Sequence, residues 1–530
     1  MQRWNGWGYP SVSMDLPHQA HALLCDAIGE GVPQDDYPLA DLIQKISTSH
    51  IPHHPLISLD PEKRIRHAHG HSLPDWVALR RGTLTRVPDG VAFPDTIEDI
   101  NELLRLARQH RFVVIPYGGG TSVLGQLTVP DVKRPVLSVS LHHLNRLVDL
   151  DTRSMLATFE TGVKGPDLEA QLRAHNFTLG HYPQSFEFST LGGWVATRAC
   201  GQESTYYGRM DELFAGANLL TPRGPLTLHP YPASAAGPDL RHLVLGSEGR
   251  MGIITTATVK ISPLPEKSVI YGIFFPSWEG GVEAVRELAG SHLPLSMMRL
   301  SNPRETRTNL KMAGRETQMS FLNRYLQLRK ISADSACMCL IGFIGSRRVV
   351  AAARRDADVV INKNHGVSIG RTMGEIWRKN RLRTPYLRNS LWNLGYAVDT
   401  VETAVTWNRT TSLMQAVETA LSDGLTSLNE RVHVFSHLSS SYPTGSNVYT
   451  TFIFRLADTP EEIYYRWKIL KEEASIAIVK SGGTISHQHG VGIDHKPYLE
   501  HDKGQLGIEA LRHIFSFIDP DDRMNPTKMV

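Results

Sequence analysis

Cysteine is scarce in this chain: Cys25, Cys200, Cys337 and Cys339 are all that its 530 residues carry. Their spacing forms neither a metal-ligand pattern nor a disulfide framework, so a reducing compartment is expected. Excess charge of either sign is also missing. A net charge of +3 is too small at this length to argue for a nucleic-acid surface. No apolar run approaches the roughly 18 residues that span a bilayer, and residues 1–8 hold no apolar signal core. Two nucleotide fingerprints are absent as well. Without a G-x-G-x-x-G motif a Rossmann dinucleotide site is disfavoured, and no Walker A lysine occurs. Any phosphate site must be built from other loops. The expected setting is cytoplasmic, peripheral to the inner membrane face if the substrate is lipid.

What is present is an ordinary globular composition, 41% hydrophobic and 21% charged, in a chain too long for one core. Residues 1–85, rich in Pro, His and Asp, read as an irregular N-terminal arm with a modest helix near 38–47. Three histidines alternate there, His67, His69 and His71. No carboxylate or cysteine set stands beside them, so packed, hydrogen-bonded histidines are expected and no metal site is assigned. Across 86–267, short β-runs (136–140, 155–160, 253–261) mix with helical stretches at 96–109 and 166–175, an α+β pattern. Across 268–486 a β-α-β order repeats at 268–300, 337–370 and 448–487, the last strand falling at 484–487. Such units predict a large antiparallel sheet covered on one face by helices. A basic segment containing Arg378, Lys379, Arg381, Arg383 and Arg388 is either a solvated face or an anion-binding wall. Residues 487–530 form a tail with a helix at 506–518.

Four loops between residues 116 and 254 share one chemical character. Pro116, Tyr117, Gly118, Gly119, Gly120, Thr121 and Ser122 follow an apolar strand at 112–115. Three consecutive glycines strip every Cβ from one turn, so N–H groups can crowd around an anion. Gln184, Ser185, Phe186, Glu187, Phe188, Ser189 and Thr190 form the second loop, and Thr197, Arg198, Ala199 and Cys200 the third. Glu248, Gly249, Arg250, Met251, Gly252, Ile253 and Ile254 form the fourth. Any one of them is equally a tight bend. Together they suit an extended polar cofactor threaded through one domain. In the tail, Ser486, His487, Gln488, His489, Gly490, Val491 and Gly492 follow. If extended, His487 and His489 share a side, and they read as hydrogen-bonding partners of a cofactor or substrate.

These loops, with Trp4, Asn5, Gly6, Trp7 and Gly8 and the run Arg66 to His71, resemble flavoproteins of the vanillyl-alcohol-oxidase type. More closely, the chain resembles the alkylglycerone-phosphate synthase (alkyl-dihydroxyacetonephosphate synthase) family of ether-lipid enzymes. The likeness runs nearly end to end, lacking a long N-terminal targeting extension, which fits an untargeted version. It implies a two-subdomain PCMH-type FAD-binding domain at 86–267 and a cap domain at 268–486. Residues 487–530 would return to the flavin site. It also implies non-covalent FAD held by the four loops just named. Arg299 falls on a functionally important arginine, Arg388 on a substrate-contacting one, and Tyr449 on a proton-donor tyrosine. His487, Gln488 and His489 fall on a run of three histidines. Here the middle one is glutamine, which hydrogen-bonds but does not titrate.

The implied reaction exchanges the acyl chain of acyl-dihydroxyacetone phosphate for a fatty alcohol through a flavin N5 adduct. The phosphate needs fixed cations, for which Arg388 and Arg299 are the candidates. Tyr449, with His487 and His489, would handle protons. The alternative is an FAD-dependent dehydrogenase or oxidase of a 2-hydroxy acid or glycerol phosphate, using the same loops with histidine as base. Expected partners are a lipid-phosphate or hydroxy-acid substrate and a second copy of the chain in a homodimer, with no nucleic acid.

Overall fold

Period-two alternation in the C-terminal half decides which residues reach the site. In the computed structural model, residues 1–314 and 316–530 are described, the side chains of 316–319 excepted. Strands Val367–Ser368, Lys267–Phe275, Cys337–Gly345, Leu295–Ser301, His433–Leu438, Gly445–Arg455 and Tyr396–Thr406 pair in that order. The short strand Ser441–Tyr442 joins beside Gly445–Arg455. The pairing is antiparallel throughout. One face buries Met298, Leu300, Cys339, Ile341, Val401, Val434 and Phe452. Helices Trp278–Ala289, Arg347–Lys363, Trp407–Asp423 and Pro460–Lys480 add side chains to the same core. The other face presents Arg299, Leu340, Thr400, His437 and Tyr449 to a cavity. Successive side chains of a strand point to opposite faces, so one strand serves both core and site.

The helices form for local reasons. Pro460–Lys480 opens on Thr459, whose side chain accepts from Glu462 N–H, with proline in the first turn. It buries Ile463, Trp467, Leu470, Ala474 and Ile478, the stripe that a period of 3.6 residues places on one side.

The N-terminal half carries two smaller sheets. Strands Ile57–Ser58, Gly90–Ala92, Val136–Ser140 and Val113–Tyr117 form the first, and its last three are parallel. Helix Ile97–His110, opened by a Thr96–Asp99 capping box, makes the crossover that a parallel pair requires. The glycine turn at 118–120 thereby sits at the carboxyl end of a parallel strand, where open sheets bind ligands. The second sheet is antiparallel, in the order Leu147–Asp151, Leu156–Glu160, Ile253–Lys260, Phe214–Thr221, Gly224–Leu228.

Two expectations need correction. Residues 484–487 form no strand: Ile485 N–H donates to Asp502 and His487 N–H to Glu402, so side chains take the donors that a ladder would use. The N-terminal arm is far more ordered than its composition suggests. It contains helices His18–Ile28, Leu39–Lys45, Pro61–Arg66 and Leu73–Arg80. Its start is gripped from a distance: Asn389 accepts from Trp7 N–H at 3.1 Å and donates to Trp7 C=O at 2.9 Å.

Replacing the fully buried Phe452 by Ala empties the core beneath the large sheet. A loss of about 3–5 kcal/mol is expected in denaturant unfolding, with no change in which ligands the protein binds.

Candidate active site

The two halves enclose a cavity of about 950 Å³. All of Pro116 to Ser122 line it, as do Gln184, Ser185, Ser189, Thr190, Thr197, Ala199, Cys200, Glu248, Gly249, Gly252 and Ile254. The remaining loop residues hold the loops from behind. Phe186 stacks near Trp194, Phe188 meets Trp7 edge-on, and Glu187 accepts from Tyr386 OH. Arg198 pairs with Asp211 at 3.2 Å and Arg250 with Asp522 at 2.8 Å, while Met251 and Ile253 are buried. Backbone packs on backbone here. A Cβ on Gly119 would lie 1.9 Å from Phe188 C=O. Ser122 Oγ and Asn525 Oδ1 are buried beside the cavity without a partner among the described residues. A wall of bare backbone with unpaired donors and acceptors fits a long ligand rich in phosphates and hydroxyls, as FAD is.

The loop at 486–492 is suspended between two buried carboxylates. Glu402, from the large sheet, accepts from the N–H groups of His487, Gln488 and His489 at 2.9–3.1 Å and from Ser486 Oγ at 2.8 Å. Glu248, from the fourth flavin loop, accepts from Val491 N–H at 2.6 Å and Gly492 N–H at 2.8 Å. Burial opposes ionising Glu402. The four donors that converge on it, beside the rings of His489 and His487, outweigh it and hold the carboxyl below its usual range. At Glu248 burial prevails over its donors and raises the carboxyl to about 7.

This suspension separates the two histidines. His489 lines the cavity, and its ring stands edge-on to Tyr449 at 5.8 Å. His487 faces away. Arg209 Nη1 donates to its Nε2 at 2.7 Å and Tyr442 OH lies 2.7 Å from the same nitrogen. Since arginine only donates, Nε2 is an acceptor and the neutral ring carries its proton on Nδ1, 3.8 Å from Glu402. Burial, then Arg209, lowers His487 to about 4, so it stays neutral. Burial likewise lowers His489.

Strand register builds a polar row across the cavity face. Glu402 lies opposite Tyr449, and Tyr449 opposite His437. The His437 ring stacks on Tyr449 at 5.0 Å. Tyr449 OH donates to Thr400 Oγ1 at 3.2 Å. Burial, then the nearby Glu402 and Asp399, pushes the phenol up to about 12, so it stays protonated at neutral pH. Arg299 donates to Glu305 at 2.8 Å, and His437 Nδ1 lies 2.9 Å from the same oxygen. Burial opposes ionising Glu305, but His437 and Arg299 hold it at about 2. Arg388 also lines the cavity, with its guanidinium 4.3 Å from the Trp76 ring centre. Glu402, Glu305, His437, Arg209 and Asn525 were not legible as site residues. Each acts through a partner far away in sequence or through strand register.

Fold and cavity together define the class: a flavoprotein of the FAD-linked oxidase type, with FAD as cofactor. A model of the FAD binding domain matches residues 88–227, and one of the FAD linked oxidases, C-terminal domain, matches 264–529. Alkyldihydroxyacetonephosphate synthase of Dictyostelium discoideum is 31% identical over 94% of this chain and 82% of its own length. That of Caenorhabditis elegans is 31% identical over 98% and 93%. A solved structure of alkyldihydroxyacetonephosphate synthase superposes with a TM-score of 0.84 at 26% identity, covering 99% of this chain and 98% of that one. The chain belongs to the alkyldihydroxyacetonephosphate synthase family.

Glu402→Gln is expected to lower stability at pH 7, because an amide cannot accept from all four donors. Glu402 is ionised more readily folded than unfolded, so its contribution is present above the ordinary carboxylate range and lost as pH falls below it. Acid unfolding followed by circular dichroism should be steeper in the wild type than in the variant.

Proposed function

We propose that this chain exchanges the acyl chain of acyl-dihydroxyacetone phosphate for a fatty alcohol. The observation that carries the reading is a cavity with two characters. Flavin loops and three arginines line one part; Leu16, Leu23, Leu310, Leu322, Ile376 and Leu391 line another. A 2-hydroxy acid needs the first and has no use for the second. Two aliphatic chains need both.

FAD, when bound and reduced, supplies a nucleophile for an exchange without net oxidation. In that exchange the ester C–O bond at the substrate carbon breaks and the acyl chain leaves as carboxylate. The alcohol oxygen takes its place and one proton is released. The protein's part is binding and proton traffic. Tyr449, protonated and desolvated, is placed to donate to the departing carboxylate. His489, neutral and facing the cavity, can take the proton that the alcohol gives up. Arg299, fixed by Glu305, orients polar substrate groups, and Gln488 lines the cavity as a hydrogen-bonding group. His487 acts from behind by holding the loop. The same proposal includes a cytoplasmic homodimer in peripheral contact with membrane. Helix Glu316–Leu328 supports the contact: Phe321 is 72% and Leu328 79% exposed, while Leu322 lines the cavity. Among the described residues no helix is long and apolar enough to cross a membrane.

Tyr449→Phe should lower turnover by about 10²–10⁴-fold with flavin content unchanged, read as radiolabelled fatty alcohol entering alkyl-dihydroxyacetone phosphate. Anaerobic flavin bleaching by a 2-hydroxy acid at enzymatic rates, with no alkyl transfer, would overturn the reading. Phe321→Asp with Leu328→Asp should reduce flotation with phospholipid vesicles several-fold; unchanged flotation removes the membrane contact.

A further inference from the structure

Residues 523–529 reach back to the parallel sheet that carries the glycine turn. Val114 N–H donates to Arg523 C=O at 2.8 Å and Asn525 N–H donates to Val114 C=O at 2.9 Å. Met524 thus pairs with Val114 as one step of an added parallel strand. Strand Val113–Tyr117 is the edge of its sheet, and the contact covers part of that edge. Further on the segment stays pinned. Lys528 is fully buried, its Nζ donating to Thr128 C=O at 2.8 Å, and Met529 N–H donates to Gly492 C=O at 3.2 Å.

Asn525 stands where these ties meet, at a backbone φ of +40°, in the left-handed region that asparagine tolerates. Its Nδ2 donates to Glu248 C=O at 2.8 Å and to Gln126 C=O at 3.1 Å. Both partners only accept, so the amide cannot flip and Oδ1 is left facing elsewhere. Asn525 is buried and lines the cavity, and Oδ1 has no partner among the described residues. A buried acceptor is costly unless a ligand donor completes it. Pyrophosphate oxygens and flavin carbonyls also only accept, so the ligand must offer an O–H or N–H. The neighbours point to the flavin end of the cofactor rather than its adenine end. Gln126 Nε2 donates to His489 C=O at 2.8 Å, and Glu248 accepts from Val491 N–H at 2.6 Å. Both residues whose carbonyls Asn525 holds therefore brace the loop that brings His489 beside Tyr449.

We propose that Asn525 is a cofactor-binding residue whose Oδ1 accepts from an O–H or N–H of the riboflavin half of FAD, carried there by a tail that docks as an added strand. That half offers ribityl hydroxyls and the ring N3–H. The inference goes beyond the alkyl-transfer reading and does not depend on it, since hydroxy-acid oxidation would use the same cofactor.

The test starts from the holoenzyme. FAD release on dilution is followed by flavin fluorescence, and displacement by FMN or by ADP is followed by chromatography of the freed FAD, with thermal midpoints recorded. FMN carries the riboflavin half, ADP the other half with the pyrophosphate. Asn525→Gly removes the amide without straining the positive φ. It should weaken FAD and FMN about tenfold or more and leave ADP within about twofold. Asn525→Asp keeps Oδ1 and forfeits the Nδ2–H donors, and should hold FMN within about threefold of the wild type. A role confined to bracing the loops predicts the reverse: both variants lack those donors, so FMN and ADP would fall together in each. That result, or unchanged FAD release from Asn525→Gly, would overturn the assignment. Should Asn525→Gly not fold, Asn525→Asp decides alone, with retained FMN affinity supporting the assignment and a joint loss of FMN and ADP overturning it. In the wild type, 3-methyl-FMN binding about tenfold weaker than FMN assigns the donor to N3–H, and equal binding assigns it to a ribityl hydroxyl.

Discussion

Burying a run of backbone N–H groups is costly unless each finds an acceptor, and the 486–492 loop meets that demand with two carboxylates from opposite halves of the chain. Glu402 rises from the large sheet and Glu248 from a flavin loop. Between them they receive the N–H groups of five loop residues, His487, Gln488, His489, Val491 and Gly492. The loop therefore cannot relax toward either half without orphaning donors on the other. Its glycines follow from the same constraint: a Cβ on Gly490 would lie 2.4 Å from Glu248 Oε1, at a backbone φ of +88°. The clamp sets which histidine faces the cavity. His489 enters the cavity, and His487 is spent on Arg209 and Tyr442.

The same logic of compensated and uncompensated charge runs through the rest of the site. Glu305 neutralises Arg299 and steadies His437, which stacks beneath Tyr449. Tyr449 is thus bounded by rings and by Glu402 in the next strand, in a setting that keeps its proton on. Every one of these groups is desolvated, so small displacements carry large electrostatic consequences. Of the arginines that line the cavity, Arg299 pairs with Glu305 and Arg381 with Glu203, whereas Arg388 has no ionic partner among the described residues.

Much of this was legible in the residues. Glycine triplets, hydroxyl-bearing loops and their succession within one stretch pointed to the flavin cradle, because only small residues let backbone approach a ligand closely. The β-α-β rhythm after residue 267 read correctly as an antiparallel sheet under helices, since helix and strand periodicities are local properties. The misreadings share a cause. Residues 484–487 have strand-like composition, yet the distant Glu402 and the later Asp502 captured N–H groups there. The N-terminal arm looked irregular because its anchors, Asn389 and Asn393 among them, lie far along the chain. Glu402 and Glu305 were invisible as site residues because a lone glutamate in a strand or helix carries no signal until its partners are placed.

The sequence by itself determined the elements, the apolar stripes that bury one face of the large sheet, and the loops open enough to admit a cofactor. Those depend on side-chain size, capping and periodicity, which act between near neighbours. Tertiary structure alone decided the roles of the charged groups: which histidine faces the cavity, which arginine is neutralised, and which carboxylates stay ionised. Ionisation and hydrogen-bond partnership depend on distance and desolvation in three dimensions. Residues 248, 402 and 487 become neighbours only when both halves close.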